Sequence, residues 1–470
     1  MAVDYDGVIL GGTVQGRAAA ALAAREGARV ALVESPGEVE RRLRRQLLLP
    51  ALAGASKQSD GTTPDWTGLG QHVNALSAVA YPQLTVDHLA ASGVDVVLEP
   101  GQFSLHPSLA VTTPTRRLRS RRYLLAPGTE VSVPAIPGLA ETPYHTLDTL
   151  LELPQLPESA IVLGRSGGAI AAAQALARLG TRTTLVSRAA TLLPTEDADL
   201  SDFVALLLEA AGVTLRLGTR LESVRHQSRF AVTLANGDRL TASHLLLATA
   251  PRPGLDDLNL SSLGIHPRRV QNLATALPVD DRLTTAHPRV FACGPALGGY
   301  WADSTDHQDV AIALRNALYL PLRRLSVLNR PGLLHITPEY ARLGFTAAAA
   351  QRWYGSAATV VQVPFGQVLK THYGPNITGF CRWVVHDNGQ LLGAQICGPG
   401  ASELMQTVAL ARQQSIPLQR LERLATLPHS WGAMVPALVE AWQRQRWQPG
   451  TWRRDWAENW CNWQRTRRRA

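Results

Sequence analysis

The chain has 470 residues, of which 45% are hydrophobic, and a formal net charge of +9. This length corresponds to about three domains, and no apolar run reaches the roughly 18 residues of a membrane span. The opening residues MAVDYDGVIL lead directly into a strand pattern, which is not typical of a secretory signal peptide. The cysteines have no metal-ligand or redox-motif spacing, so we predict no metal site and a cytoplasmic location; they are Cys293, Cys381, Cys397 and Cys461.

Most of the net charge of +9 comes from the final 30 residues, and arginines also cluster in a second run. The final 30 residues hold eight Arg against one Asp and one Glu, and a second run, RRLRSRR, covers 116–122. No aromatic residue interrupts that second run, so we interpret it as a solvated face or a strand edge and predict no nucleic-acid partner.

Two segments repeat one pattern of strand, glycine turn, alanine-rich helix and second strand. The first, VILGGTVQGRAAAALAAREGARVALVE, covers 8–34, and the second, IVLGRSGGAIAAAQALARLGTRTTLVS, covers 161–187. Such a unit presents the pyrophosphate of a dinucleotide to a helix N-terminus. Two copies in one chain indicate two nucleotide sites, and therefore an oxidoreductase that passes electrons between them.

The turn of the first copy departs from the glycine pattern at its centre. Thr13 occupies the middle glycine position, so we expect its side chain to crowd the pyrophosphate, although its hydroxyl could bind a phosphate oxygen. Glu34 ends the second strand, where a carboxylate accepts hydrogen bonds from the adenosine ribose; the alternative is an exposed acid at a strand end. The predicted contacts of this turn are Gly11, Gly12, Thr13, Gly16 and Glu34.

The second copy departs further, because Ser166 and Ala169 fill two motif glycine positions. It ends in Ser187 and Arg188 instead of a carboxylate, which favours NADP(H) over NAD(H) because an arginine can pair with a 2′-phosphate. The alternative is that Arg188 is an ordinary surface arginine. The predicted contacts of this site are Gly164, Ser166, Gly167, Ser187, Arg188 and Ala250.

The remaining segments are punctuated by turn signals. A proline-rich connection leads into the second copy, and Asn236–Gly237 predicts a hairpin turn. A third region begins near Pro331, with strand patterns at ATVVQVP, GFCRWVVHD and LLGAQICG and helices after Ala401 and Pro436.

In order along about residues 5 to 445, these segments resemble the FAD- and NAD(P)H-dependent pyridine nucleotide-disulfide oxidoreductases, such as dihydrolipoamide dehydrogenase and mercuric reductase. LLAPGT at 124–129 and LLLATAPRPGL at 245–255 resemble the two ATG segments of that family. VDDRLTTAHPRVFACG at 279–294 resembles the stretch before its second flavin contact, and ITPEYARLGFT resembles its dimerisation domain. The resemblance adds Ala126, Gly128 and Gly294 to the predicted FAD contacts.

The resemblance implies an α/β chain with two Rossmann-like dinucleotide-binding domains and a C-terminal α+β dimerisation domain. The FAD-binding domain is predicted over 1–148 and 271–325, and the NAD(P)-binding domain over 149–270. The dimerisation domain is predicted over 326–446 and a basic, Trp-rich tail over 447–470. FAD, NADP or NAD, and a homodimer are the implied cofactors and assembly.

The departures from the family concern its redox groups. The family carries a CxxxxC disulfide soon after the first copy, where this chain has no cysteine, so no dithiol relay is possible. Ala171 replaces the glutamate of a Lys–Glu pair near the flavin, and Pro295 replaces an aspartate that binds the ribityl chain. His429 matches the family's C-terminal histidine, but Ala433 and Met434 stand where the orienting glutamate is expected. His429 is therefore either a weakened catalytic base or a packed or surface histidine.

Two functions remain open from the sequence. The first is an FAD-dependent NAD(P)H oxidoreductase that passes electrons to a small-molecule, non-disulfide acceptor. The second is a non-catalytic relative that acts as a nucleotide-binding scaffold or sensor.

Six of the eleven tryptophans lie from Trp442 onward, and from Trp452 they fall on one helical face among arginines. This tail either contacts a membrane surface or a partner, packs against its own core, or joins the dimer contact.

Overall fold

A computed structural model describes residues 3–36, 38–55, 65–270, 274–298, 308–373, 378–447 and 452–467; at 38–42, 270, 274, 327, 452 and 453 it describes the backbone alone. Contacts divide the chain into one unit of residues 1–326 with 334–336, and a second of 327–333 with 337–470. Among the described residues, no helix is both long and apolar enough to span a bilayer.

A parallel five-stranded sheet contains the first copy of the repeat. Its strands, in spatial order, are Val290–Ala292, Ser120–Leu125, Tyr5–Leu10, Val30–Val33 and Asp95–Val97. Apolar side chains on both faces of the sheet are buried, because helices cover one face and short antiparallel strands that carry Phe103, Val111 and Leu118 pack against the other. The helices of this part are Val14–Arg25, Glu38–Gly54, Trp66–Val79, Val86–Ala91 and Gln308–Leu318.

A second parallel sheet contains the second copy. Its strands, in spatial order, are Thr214–Arg216, Arg182–Val186, Ser159–Leu163, His244–Leu247 and His145–Thr146. The helices Gly167–Leu179 and Ala198–Ala210 belong to this part. An antiparallel sheet of Leu221–His226, Phe230–Leu234 and Arg239–Ala242 follows, and its second hairpin turns at Asn236–Gly237 as predicted.

Short antiparallel pairs complete the first unit. One sheet joins Gln102–Ser104, Ala110–Thr112 and Arg117–Leu118. Two ribbons join Thr129–Val131 with Pro251–Pro253, and Arg268–Val270 with Ala274–Ala276.

The second unit is built on one five-stranded sheet. Its strands, in spatial order, are Gly332–Leu334, Tyr340–Gly344, Leu391–Cys397, Phe380–His386 and Ala358–Pro364. The buried core includes Trp383 and Trp442. The helices are Ala347–Tyr354, Ala401–Gln413, Leu418–Leu421, Met434–Arg446 and a last helix, Trp452–Arg467, which we call the tail helix. The predicted fold class is confirmed, while the finer domain boundaries stay a prediction.

Candidate functional site

The first turn, residues 11–16, joins the strand Tyr5–Leu10 to the helix that begins at Val14. Gly11 has φ +112°, and a Cβ added there would lie 2.1 Å from the carbonyl oxygen of Ala126. A Cβ added at Gly16 would lie 2.0 Å from the carbonyl oxygen of Gly11. These two glycines are therefore required because backbone passes against backbone at the turn.

Thr13 caps the helix of the first turn instead of pointing outward. Its hydroxyl accepts a hydrogen bond from the Gly16 N–H at 3.0 Å and donates one to the Ala126 carbonyl at 3.0 Å. The side chain is buried. The hydroxyl thus satisfies one of the free N–H groups at the helix start, whereas the sequence suggested that it could bind a phosphate oxygen.

The second turn, residues 164–169, repeats these bonds. Gly164 has φ +157°, and an added Cβ would lie 2.2 Å from the Ala248 carbonyl oxygen. The Ser166 hydroxyl donates to that same carbonyl at 2.8 Å and accepts from the Ala169 N–H at 3.1 Å. The second turn therefore keeps the geometry of the first despite its lost glycines.

The strand ends differ between the two copies. Glu34 is buried in a two-bond ion pair with Arg17, whose Nη2 lies 2.6 Å from Oε1 and whose Nε lies 3.1 Å from Oε2. Arg17 also donates from Nη1 to the Leu84 carbonyl at 2.9 Å. The corresponding Ser187 is buried and accepts from the Ala189 N–H at 3.1 Å, while Arg188 is exposed. Glu34 is thus not the exposed acid that we had considered.

The segment around Gly294 carries a carboxylate that the sequence analysis missed. The Gly294 N–H donates to Oδ2 of Asp309 at 2.8 Å, and Asp309 is buried on the helix Gln308–Leu318. A carboxylate from the helix Gln308–Leu318 therefore lies against the backbone next to Pro295. Its only signal in the sequence is an acidic residue in the first turn of a helix.

The remaining predicted contacts line the two turns. Ala126 donates its N–H to the Leu10 carbonyl at 2.8 Å, and Gly128 has φ +72°. Gly12 and Gly167 lie within the first and second turns, and Ala250 is half-buried shortly after Ala248.

The cysteines form no redox pair. All four are free, three of them are buried, and only Cys461 is exposed. Burial raises the pKa of Cys397 to about 12. It also raises the pKa of Cys381, and burial together with the nearby Asp309 charge raises that of Cys293. These three thiols are therefore poor nucleophiles at neutral pH.

His429 has a partner that the sequence did not predict. Its Nδ1 lies 3.0 Å from the hydroxyl oxygen of Tyr373, and both side chains are exposed. Lys370, on the same short helix as Tyr373, has its Nζ 4.7 Å from the ring centre of Trp431. A phenol can hold the imidazole in one tautomer, so the lost glutamate has a candidate replacement.

The residues at the first turn fit FAD, and those at the second fit a nicotinamide nucleotide. Both turns bring bare backbone to the start of a helix, which is how dinucleotide pyrophosphates are held. Arg17 binds both carboxylate oxygens of Glu34, the residue predicted to accept hydrogen bonds from the ribose.

Comparison with known proteins gives consistent matches. The family model for pyridine nucleotide-disulphide oxidoreductase matches residues 5–313, and the model for the dimerisation domain of that family matches residues 330–435. A mercuric reductase from Acidithiobacillus ferrooxidans is 30% identical over 64% of this chain, and the match covers 54% of that relative, about half its length. The mercuric reductase of Staphylococcus aureus is 26% identical over 89% of this chain and 79% of its own length.

Other matches extend over nearly the whole chain. The probable pyridine nucleotide-disulfide oxidoreductase RclA of Escherichia coli is 26% identical over 88% of this chain and 93% of that protein. The structure of a Cu(II) complex of RclA has a TM-score of 0.79 at 23% identity, covering 94% of this chain and 99% of that chain. LpdA of Mycobacterium tuberculosis has a TM-score of 0.81 at 21% identity, covering 92% and 98%. The structural matches establish a shared fold.

Proposed function

Because the chain belongs to the pyridine nucleotide-disulphide oxidoreductase family, whose members use FAD and NAD(P)H, we propose that it passes electrons from flavin directly to a non-disulfide acceptor. The observation that carries this proposal is the state of the cysteines. No cysteine precedes Cys293, and Cys293, Cys381 and Cys397 are free and buried. A dithiol relay needs two accessible thiols beside the flavin, so electrons must leave by another route.

The residues of this chain have distinct parts in that reaction. FAD, when bound, supplies a centre that takes hydride from NAD(P)H and gives up two electrons to the acceptor. The first turn would hold the flavin nucleotide through backbone N–H groups, and the Gly294–Asp309 contact would lie near its ribityl chain. His429, held by Tyr373, is the candidate group for delivering a proton to an acceptor that requires one. Acceptors of suitable chemistry are a quinone, a metal ion, oxygen or another nucleotide.

We prefer NADP(H) as the electron donor because of the second strand end. Ser187 carries no charge that would repel a 2′-phosphate, and the exposed Arg188 is free to turn towards one. Arg188→Ala should raise KM for NADPH while leaving KM for NADH unchanged. Arg182→Ala, at an exposed arginine at the opposite end of the strand that Ser187 follows, is the matched control.

The experiment that tests the proposal combines a spectrum with a thiol block. The purified chain should be yellow, bleach on anaerobic addition of NADPH, and regain colour when a quinone or ferric chelate is added. Alkylation of the native protein should modify Cys461 alone and leave this cycle unchanged. A colourless protein that FAD cannot reconstitute, or a cycle that alkylation abolishes, would refute direct transfer.

Three observations favour the second candidate, a non-catalytic nucleotide-binding scaffold or sensor. Ala171 is buried in place of a glutamate, Pro295 replaces an aspartate, and Glu34 is already paired. The same spectrum separates the two candidates, since a scaffold that binds FAD would not bleach with either nicotinamide nucleotide.

We include a partner for the tail helix in the proposal. Its described side chains are all exposed except Ala457, which is half-buried, and this exposure favours a partner over packing against the core of its own chain. Trp456 and Trp460 stack with ring centres 5.8 Å apart, and Trp463 lies 4.9 Å from Trp460. Indoles beside arginines suit an anionic membrane interface, which would place a cytoplasmic homodimer peripherally at a membrane. A contact with a protein, or with the second subunit, is the alternative.

Cys461 gives a direct test of this partner, because it is the exposed thiol of the tail helix. An environment-sensitive dye on Cys461 should shift to the blue with vesicles containing phosphatidylglycerol, and not with phosphatidylcholine vesicles. Replacement of Trp456, Trp460 and Trp463 by Ser should abolish the shift, whereas Trp353→Ser, at an exposed tryptophan of the second unit, should not. An unchanged dye spectrum with anionic vesicles would rule out the membrane and leave a protein contact.

A further inference from the structure

The Arg17–Glu34 pair closes the position where the FAD ribose is expected to bind. Both Glu34 oxygens accept from Arg17, at 2.6 and 3.1 Å. The remaining guanidinium nitrogen, Nη1, donates to the Leu84 carbonyl at 2.9 Å, so Arg17 is held both by Glu34 and by the backbone at Leu84. An arginine fork held in this way has a fixed geometry and is a strong carboxylate partner.

Gly12 determines where the Glu34 carboxylate lies. A Cβ added at Gly12 would be 2.0 Å from Oε2 of Glu34 and 2.7 Å from its Cβ. The carboxylate therefore rests against bare backbone, next to the start of the helix Val14–Arg25. That position attracts anions, and here the chain's own carboxylate occupies it.

The pair is also closed to solvent. The Glu34 side chain is 2% exposed and the Arg17 side chain 8%. Ribose hydroxyls must come within hydrogen-bond distance of the Glu34 oxygens. A carboxylate that solvent barely reaches is not open to a sugar. The pair must therefore separate, or Glu34 must rotate, before the ribose can bind.

We infer that the Arg17–Glu34 pair is a latch on the FAD ribose site, and that Arg17 lowers the affinity of the chain for FAD. When only a small fraction of the protein molecules is competent to bind, the apparent affinity for the ligand is reduced by that fraction. The latch concerns FAD binding and is independent of the acceptor to which the electrons pass. It sets this chain apart from one in which the ribose acceptor stands open.

Gly12 provides a way to open the latch without removing a charge. Gly12→Ala adds no backbone strain, since Gly12 has no positive φ, but its methyl group would displace the carboxylate. Arg17→Met opens the latch directly by removing the fork. Gly366→Ala is the matched control, because Gly366 also lacks a positive φ and its added Cβ would meet no atom within 4 Å.

The test is a fluorescence titration of the full-length chain, stripped of flavin, with FAD. We expect Arg17→Met and Gly12→Ala to lower Kd for FAD by at least about tenfold, and Gly366→Ala to leave it unchanged. Glu34→Ala, which removes latch and acceptor together, should show no gain. If Arg17→Met does not fold, Arg17→Lys, which keeps the charge without the fork, should show a smaller gain in the same direction.

Equal or weaker FAD binding by both folded variants would overturn the latch, as would a complete failure of every variant to bind FAD. The readout separates this inference from the proposed function. Tighter FAD binding without NADPH oxidation would keep the latch and refute direct electron transfer. Unchanged affinity with full electron transfer would do the reverse.

Discussion

The two turns share one local design and differ at the strand that follows each. In both, a glycine packs against the carbonyl of a following segment, and a hydroxyl side chain caps the helix while donating to that same carbonyl. At the strand ends, Glu34 is buried with Arg17, whereas Ser187 carries no charge and Arg188 is exposed. The two copies thus keep the same turn backbone but carry different side chains at the strand end, where the group that selects a nucleotide is expected.

This difference teaches that a lost motif glycine is a poor measure of a lost site. Ser166 and Thr13 keep the turn closed by the same two bonds, although both depart from the glycine pattern. The group that could restrict nucleotide binding is instead the side chain of Arg17, in the first turn of the helix Val14–Arg25. The following predictions test how far the two copies are equivalent.

The largest expected difference lies at the strand ends. Arg17→Met should lower the free energy of unfolding of the flavin-free chain by about 3–5 kcal/mol, because it leaves Glu34 as an unpaired buried charge. Arg188→Met should change it by less than about 0.5 kcal/mol, since that side chain is exposed. Urea unfolding measures both, and equal losses would contradict the buried role of Arg17.

The glycines that open each turn should behave alike. Gly11→Ala and Gly164→Ala should each lower the free energy of unfolding by about 2–4 kcal/mol. In each variant the new methyl group would overlap a carbonyl oxygen, at 2.1 or 2.2 Å, and the φ value is positive. Gly27→Ala is the control, since Gly27 has φ +82° but open space around an added Cβ. It should cost only about 1 kcal/mol. A clear difference between Gly11 and Gly164 in urea unfolding would break the equivalence of the turns.

The helix caps should also match. Thr13→Ala and Ser166→Ala each remove the acceptor for one helix N–H, and each should lower the free energy of unfolding by about 1 kcal/mol. Thr13→Gly should lower it by only about 0.3 kcal/mol, without tightening FAD, because the Thr13 side chain is turned inward. Tighter FAD binding by Thr13→Gly would mean that the side chain crowds the pyrophosphate after all.

The smallest expected effect is a pH dependence of the second sheet. Burial lowers the pKa of His145 and of His244, whose rings lie 5.6 Å apart. The unfolded chain therefore takes up protons first, and stability that is complete above about pH 6.5 falls as the pH drops below that value. The double variant His145→Gln and His244→Gln should flatten this fall in melting temperature. A residual slope is expected from His287, whose pKa is also lowered by burial.

Local patterns in the sequence could predict the fold and the positions of both turns. The repeated strand–turn–helix–strand unit and the Asn236–Gly237 hairpin depend on neighbouring residues, so their signals are contained in short segments. The pairing of Arg17 with Glu34, of Asp309 with Gly294 and of Tyr373 with His429 could not be predicted. Each joins separate elements, and only the packing of those elements brings the partners together. The caps at Thr13 and Ser166 were predictable from helix-cap preferences, but the glycine motif drew attention to phosphate instead.

The stacked tryptophans of the tail helix also make this region an optical reporter. Trp456 and Trp460 lie nearly parallel, at an interplanar angle of 10°, so their electronic transitions couple and should give a paired circular-dichroism band. Trp442 and Trp383 are buried in the core of the second unit and report on its unfolding by fluorescence. One sample can therefore show separately whether the tail keeps its helix and whether the body keeps its core.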